Sequence, residues 1–135
     1  MTKYMLDTNT CIALIKDRPE SLKKKLATVP VGRIAISSIV LAELWYGIAQ
    51  SQRKQHNEQA LGDFLNYIGV EDWPGTAAPA YGTLRAHLRK AGSPIGAMDL
   101  LIAAHALTEK AVLVTDNVKE FRRVPGLVVE NWIKR

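Results

Sequence analysis

Four acidic side chains fall where a carboxylate could do chemistry. Asp7 directly follows the apolar run that ends at Leu6, and Asp116 lies one residue past the run Val112-Leu113-Val114-Thr115. Asp99 follows the loop Gly92-Ser93-Pro94-Ile95-Gly96 and stands in the first turn of an apolar helical pattern. Taken singly, each of these reads as a helix cap, because Asp is a favoured N-cap and acids suit the positive end of a helix. Glu43 has no such reading. It sits inside Leu41-Ala42-Glu43-Leu44-Trp45, and a carboxylate in an apolar stretch is usually paired or functional.

Taken together, the four point to a cation. Two carboxylates about 4 Å apart repel by about 4 kcal/mol at an effective dielectric of 20, so four in one pocket need a counter-charge. The chain carries 18 Lys and Arg against 13 Asp and Glu, a formal net charge of +5. Outside the four acids the surface is more basic still. An acidic pocket in a basic surface suits a phosphate backbone held outside and a divalent metal held inside. Oxygen-only donors select Mg²⁺, with Mn²⁺ as the alternative. Zinc would want Cys or His, but Cys11 is the one cysteine and His56, His87 and His105 are widely spaced. The three histidines read as surface or packing residues. The chain has no Gly-x-Ser-x-Gly elbow, no P-loop and no Gly-x-Gly-x-x-Gly after its first strand. A two-carboxylate glycosidase is compatible with the spacing but does not need a basic surface.

The elements that must position these acids alternate strand and helix. Strands are expected at 3–6, 33–37, 111–115 and 127–130, with a short one around Val70. Helices are expected at 8–16, 19–27, 38–49, 59–67, 76–90, 97–108 and 119–122. In the helix 76–90, Ala77, Ala80, Tyr81, Leu84 and Leu88 share one face. Strands joined through helices imply a parallel sheet covered on both faces, and such sheets bind ligands outside the carboxyl ends of their strands. Two of the four acids follow strands directly, and the other two lie near helix starts. With 135 residues and ordinary globular composition, residues 1–135 read as a single domain. A lone cysteine fits a reducing cytosol. No apolar run approaches the ~20 residues that span a bilayer, and Asp7 interrupts any leader-like start. The expected location is therefore cytoplasmic, away from the membrane.

Four segments of the chain, in order, resemble the motifs of PIN domains. Met5-Leu6-Asp7-Thr8-Asn9 is similar to the first, and Ile36-Ser37-Ser38-Ile39-Val40-Leu41-Ala42-Glu43-Leu44-Trp45-Tyr46-Gly47 to the second. The third is resembled by 95–107, Ile95 through Leu107, and the fourth by 113–121, Leu113 through Phe121. The tail, with Pro125-Gly126-Leu127 and Glu130-Asn131-Trp132, is similar to the ending of the VapC toxins. The resemblance implies a three-layer α/β/α fold on a parallel sheet of four or five strands. It implies a Mg²⁺-dependent endoribonuclease, the toxin of a type II toxin–antitoxin pair, that forms a homodimer and is silenced by a VapB-type antitoxin. Operator DNA would be reached only through that antitoxin. The implied substrate is RNA, with a transfer RNA cut in its anticodon loop as the preferred one.

By motif position, Asp7, Glu43 and Asp99 are the implied metal ligands. Asp116 matches a fourth acidic position that many VapC toxins fill with Asn. Asn9, Thr115 and Asn117 are the implied residues that orient the acids or a water. One Mg²⁺ held by Asp7 and Asp99, with Glu43 and Asp116 completing it or holding a second ion, would yield a 5′-phosphate and a 3′-hydroxyl. Arg85, Arg89, Lys119 and Arg122 are candidates for substrate phosphate contact, and Lys23, Lys24 and Lys25 form a third basic cluster. Trp45 and Tyr46 are expected in the core, with an interface groove as the other reading. Three rival functions remain at this point: a metal-dependent nuclease acting on DNA or flaps, a non-catalytic Mg²⁺-binding α/β module, and a regulatory protein that binds DNA with its partner, for which the chain shows no helix-turn-helix pattern. Against the first, the chain has no helical-arch insertion; against the second, Asp7 has no acidic neighbour.

Overall fold

The computed structural model describes residues 2–134. Five strands form one parallel sheet: β1 (Tyr4–Leu6), β2 (Ile34–Ser37), β3 (Gly69–Glu71), β4 (Val112–Val114) and β5 (Val129–Glu130), in the spatial order β3-β2-β1-β4-β5. The central strands read as continuous apolar runs because both of their faces are covered. Met5, Leu6, Ile36, Leu113 and Val114 are all buried. The helices are α1 (Thr8–Ile12), α2 (Glu20–Ala27), α3 (Ser38–Gln50), α4 (Lys54–Leu65), α5 (Ala78–Lys90), α6 (Ala97–Thr108) and α7 (Val118–Phe121). From β1 the chain steps outward through β2 to β3, then crosses back to β4 and continues to β5. Right-handed crossovers taken in opposite directions put α1–α4 over one face and α5–α7 over the other, which makes the three layers.

That reversal leaves a switch point between β1 and β4, paired in the register Leu6↔Val114. Asp7 N donates to Val114 O at 3.0 Å, and Thr10 Oγ1 donates to the same carbonyl at 3.2 Å, so the end of β4 holds the start of α1. Crevices at such switch points are where open α/β sheets bind ligands, and Asp7 and Asp116 both lie there.

Several boundaries differ from those the periodicity predicts. The first helix stops at Ile12 and relaxes into a π-helical turn, Ala13–Asp17, closed by Arg18 N on Ala13 O at 2.7 Å, with Arg18 left-handed at φ 44°. Helix α4 starts at Lys54 rather than Gln59, inside the polar tract whose composition concealed it. Helix α3 runs through Gly47 without a break. Trp45 and Tyr46 are not core: they are 43% and 64% exposed, since Val40 and Leu44 are the fully packed positions of that helix and Glu43 takes its remaining inward side. Cys11, His56 and His87 lie as expected, the first buried and the other two exposed; His105 is fully buried.

Helix α6 ends in a Schellman motif. Ala111 N donates to Ala106 O at 2.9 Å and Lys110 N to Leu107 O at 3.1 Å, with Lys110 at φ 55° where glycine is the usual residue. The joint delivers the chain straight into β4. Lys110→Gly removes the left-handed penalty of an L side chain, and thermal or urea unfolding should show a gain of about 1 kcal/mol.

Candidate active site

Each acid is placed by a different local device. Asp7 caps α1: its Oδ1 accepts from Thr10 N at 2.9 Å and its Oδ2 accepts from Thr115 Oγ1. Its side chain is nearly inaccessible. Both hydrogen bonds favour the carboxylate, yet burial outweighs them and Asp116 adds repulsion, so the Asp7 pKa is raised. Glu43 lies one and a half turns into α3, and its Oε1 accepts from Thr8 Oγ1. Asp99 is half-buried in the first turn of α6. Burial pushes its pKa up to about 6, assisted by the charges of Glu120, Glu43 and Asp7 in that order. Asp116 is half-buried just past β4, beside Asp7. The structure therefore brings all four acids to the carboxyl edge of the sheet.

It also adds two residues that the sequence reading passes over. Glu120, on α7, bears more strongly on Asp99 than either Glu43 or Asp7 does, and its Oε2 accepts from Asn117 Nδ2 at 2.7 Å. Thr8 anchors Glu43. The only signal for Glu120 was its spacing, four residues after Asp116 on the following helix; for Thr8, nothing but its adjacency to Asp7. Of the three orienting candidates, Thr115 contacts Asp7, and Asn117 joins Thr115 Oγ1, through its backbone N at 2.9 Å, to Glu120. Asn9 is exposed on α1. The basic candidates are all exposed. Lys119 and Arg122 flank Glu120 on α7, whereas Arg85 is engaged locally, donating to Tyr81 Oη at 2.7 Å across its own ring.

The donor set fits a hard divalent cation. It is all oxygen, and among the described residues the ion pairs join Lys3 to Glu71 and Glu109 and Lys23 to Glu20, none reaching Asp7, Glu43 or Asp99. As the side chains stand, no group of three or more Asp, Glu, His or Cys among those residues closes on a metal ion.

Residues 4–127 match the PIN domain family. Ribonuclease VapC2 of Rickettsia felis is 47% identical over 132 residues, covering 97% of this chain and 98% of that protein. The chain is a VapC-type member of the PIN-domain family. The tRNA(fMet)-specific endonuclease VapC of Salmonella typhimurium is 41% identical, covering 98% of this chain and 99% of its own. The crystal structure of Rickettsia felis VapBC2 bound to a promoter DNA fragment superposes with a TM-score of 0.92 at 45% identity, covering 97% of this chain and 99% of the other. PIN-domain ribonucleases depend in general on a divalent metal, which agrees with the donor set here.

The Asp99 carboxyl gives a pH dependence of known sign. Its pKa is about 6 in the fold and 3.8 as a free side chain. Between those values the folded PIN domain holds more protons than the unfolded chain, so its stability falls as pH rises from about 4 to about 6 and then levels off. In EDTA, Asp99→Asn should remove that part of the slope and raise the melting temperature at pH 7.5. Differential scanning calorimetry at several pH values reads both effects.

Proposed function

We propose that this protein is the toxin of a type II toxin–antitoxin pair, a Mg²⁺-dependent endoribonuclease that cuts a transfer RNA in its anticodon loop and so stops translation. One observation carries the chemistry. Asp99, on α6, feels Glu120, Glu43 and Asp7 from three other elements, and among the described residues none of Asp7, Glu43 and Asp99 is in an ion pair with a cationic side chain. Near-complete coverage by a relative named as a tRNA(fMet)-specific endonuclease supports the substrate class.

In this reading Asp7, Glu43 and Asp99 hold the cation, and Asp116 and Glu120 close the acidic rim. The bound Mg²⁺ would supply a water of lowered pKa and charge relief for the phosphate. Thr10 N and Thr115 Oγ1 each hold one Asp7 oxygen and so fix the orientation of its carboxylate. Thr8 does the same for Glu43. Asn117 keeps Glu120 from swinging away. Lys119 and Arg122 stand on the rim where a phosphate backbone would approach. Cleavage leaves a 5′-phosphate and a 3′-hydroxyl, a route that does not use the ribose 2′-hydroxyl.

An antitoxin of the VapB type fits the surface beside the acids. A narrow apolar trough between the π turn, α3 and α4 is lined by Ile12, Ile15, Leu44, Ile48 and Leu61, and Glu43 stands at its edge. An apolar segment seated there would reach the acidic rim and block it. The relatives crystallised on DNA, a promoter fragment in one case, are VapBC complexes, and operator contact is assigned to the antitoxin. The exposed aromatic pair Trp45 and Tyr46 suits a subunit contact in a homodimer.

Purified protein incubated with total bacterial RNA should give a discrete cut in Mg²⁺ and none in EDTA, with 5′-end mapping naming the RNA. Asp7→Asn should lower the rate by more than about 100-fold. Folded protein that binds metal but cuts no RNA would refute the reading. Lys119→Ala and Arg122→Ala should each flatten the dependence of log affinity on log salt by about 0.7, as expected for a lost phosphate contact on single-stranded RNA. An unchanged slope would remove α7 from the substrate path.

A further inference from the structure

The helix that carries Glu43 is fastened to the helix that carries Asp99 by a buried polar chain. Ser37 caps α3, its Oγ accepting from Ile39 N at 3.1 Å. His105 Nδ1, on α6, stands 2.8 Å from that same oxygen. Alongside, Ser38 Oγ accepts from Trp73 N at 2.9 Å, and Trp73 Nε1 donates to Leu101 O of α6 at 2.9 Å. Ser37 begins the helix that carries Glu43, and His105 lies on the helix that carries Asp99, so this contact ties the two supports of those acids together.

Hydrogen-bond bookkeeping selects the protonation of the ring. Ser37 Oγ already accepts the Ile39 N–H, so its own proton needs an acceptor, and Nδ1 is the one in reach. The ring hydrogen then sits on Nε2. His105 is 0% exposed, and its Nε2 and Glu71 Oε2 are the two buried side-chain polar atoms without a partner among the described residues. Ser37 and Glu71 are register partners across β2 and β3, which puts their side chains next to one another on the same face. The other Glu71 oxygen is held by Lys3 Nζ, and Lys3 also lies 3.6 Å from Glu109. The charged groups facing the ring are thus Glu71 from β3, Glu109 beyond α6 and Lys3 ahead of β1. Burial dominates their sum and lowers the His105 pKa, which keeps the ring neutral.

We propose that His105, held as its Nε2–H tautomer on the Glu71 side, is a positioning residue that fixes the Ser37 cap and through it the distance of Glu43 from Asp99. The activity consequence rests on the nuclease reading above; the tautomer does not. Two measurements on the full chain test it. Long-range ¹⁵N imidazole spectra of wild type should show one neutral Nε2–H ring across pH 6–8, and an Nδ1–H tautomer or an imidazolium would overturn the proposal whether or not the protein cuts RNA. Kinetics then compare His105→Phe, which keeps volume without an acceptor, with His105→Asn, whose Oδ1 can replace Nδ1. The Phe variant should lose about 10-fold or more in kcat and in Mn²⁺ affinity with KM near wild type, and the Asn variant should recover most of both. Ser37→Ala should reproduce the Phe defect if the Phe variant does not fold. Wild-type kcat and Mn²⁺ affinity in Ser37→Ala, or an Asn variant as impaired as Phe, would overturn the positioning role. An inactive wild type would count against the nuclease reading alone, leaving the Mn²⁺ affinities and the tautomer to judge His105.

Discussion

Like charges held close to one another are what the rest of this molecule has to withstand. Asp99 is opposed by Glu120, Glu43 and Asp7, and Asp7 by Asp116. Left to themselves these groups would move apart, and three of them are tethered to neighbouring residues. Asp7 is bound into the cap of α1 and to Thr115, Glu43 to Thr8, and Glu120 to Asn117. The tethers belong to the sheet edge or to helix starts, where backbone position is best determined. The electrostatic cost is kept in the fold and is relieved when a divalent cation binds, which couples metal binding to stability.

The parallel sheet supplies the geometry for this. Its order β3-β2-β1-β4-β5 places two carboxyl ends, those of β1 and β4, side by side at a switch point. The crossover that returns the chain from the β3 edge brings α6 back across the sheet, and the Ser37, Ser38 and Trp73 contacts tie it to the start of α3. One strand pairing and one helix pairing therefore position side chains from five separate segments. The apolar trough that Glu43 borders and the exposed Trp45 and Tyr46 also belong to α3, so candidate metal site and contact surface share a helix.

Much of this was legible in the sequence, and the exceptions have physical causes. Strand–helix alternation and the β-branched run at 112–114 identify a parallel sheet, and Asp7 and Asp116 are visible because they follow strands. Glu43 is visible because a carboxylate stands out against apolar neighbours. Glu120 was missed because Val118-Lys119-Glu120 reads as an ordinary solvated turn; only the tertiary placement of α7 turns that side chain toward Asp99. Trp45 and Tyr46 were misplaced because aromatic residues inside an apolar stretch read as core, and nothing local says which arc of α3 the sheet covers. The π turn at Ala13–Asp17 and the early start of α4 depend on backbone closure and packing rather than on periodicity.

The pairing of β1 with β4 has a consequence in time. Leu6 and Val114 are adjacent in space but more than a hundred residues apart along the chain. Contacts of such sequence separation form late, after a large loop closes. During synthesis, the segment that ends in Asp7 is made first and waits while α1 through α6 are produced. Until β4 slots in beside it, neither Thr115 nor Asp116 is present and the acidic constellation does not exist. A chain whose activity would halt translation is thereby inert until β4 and the acids that follow it have been made.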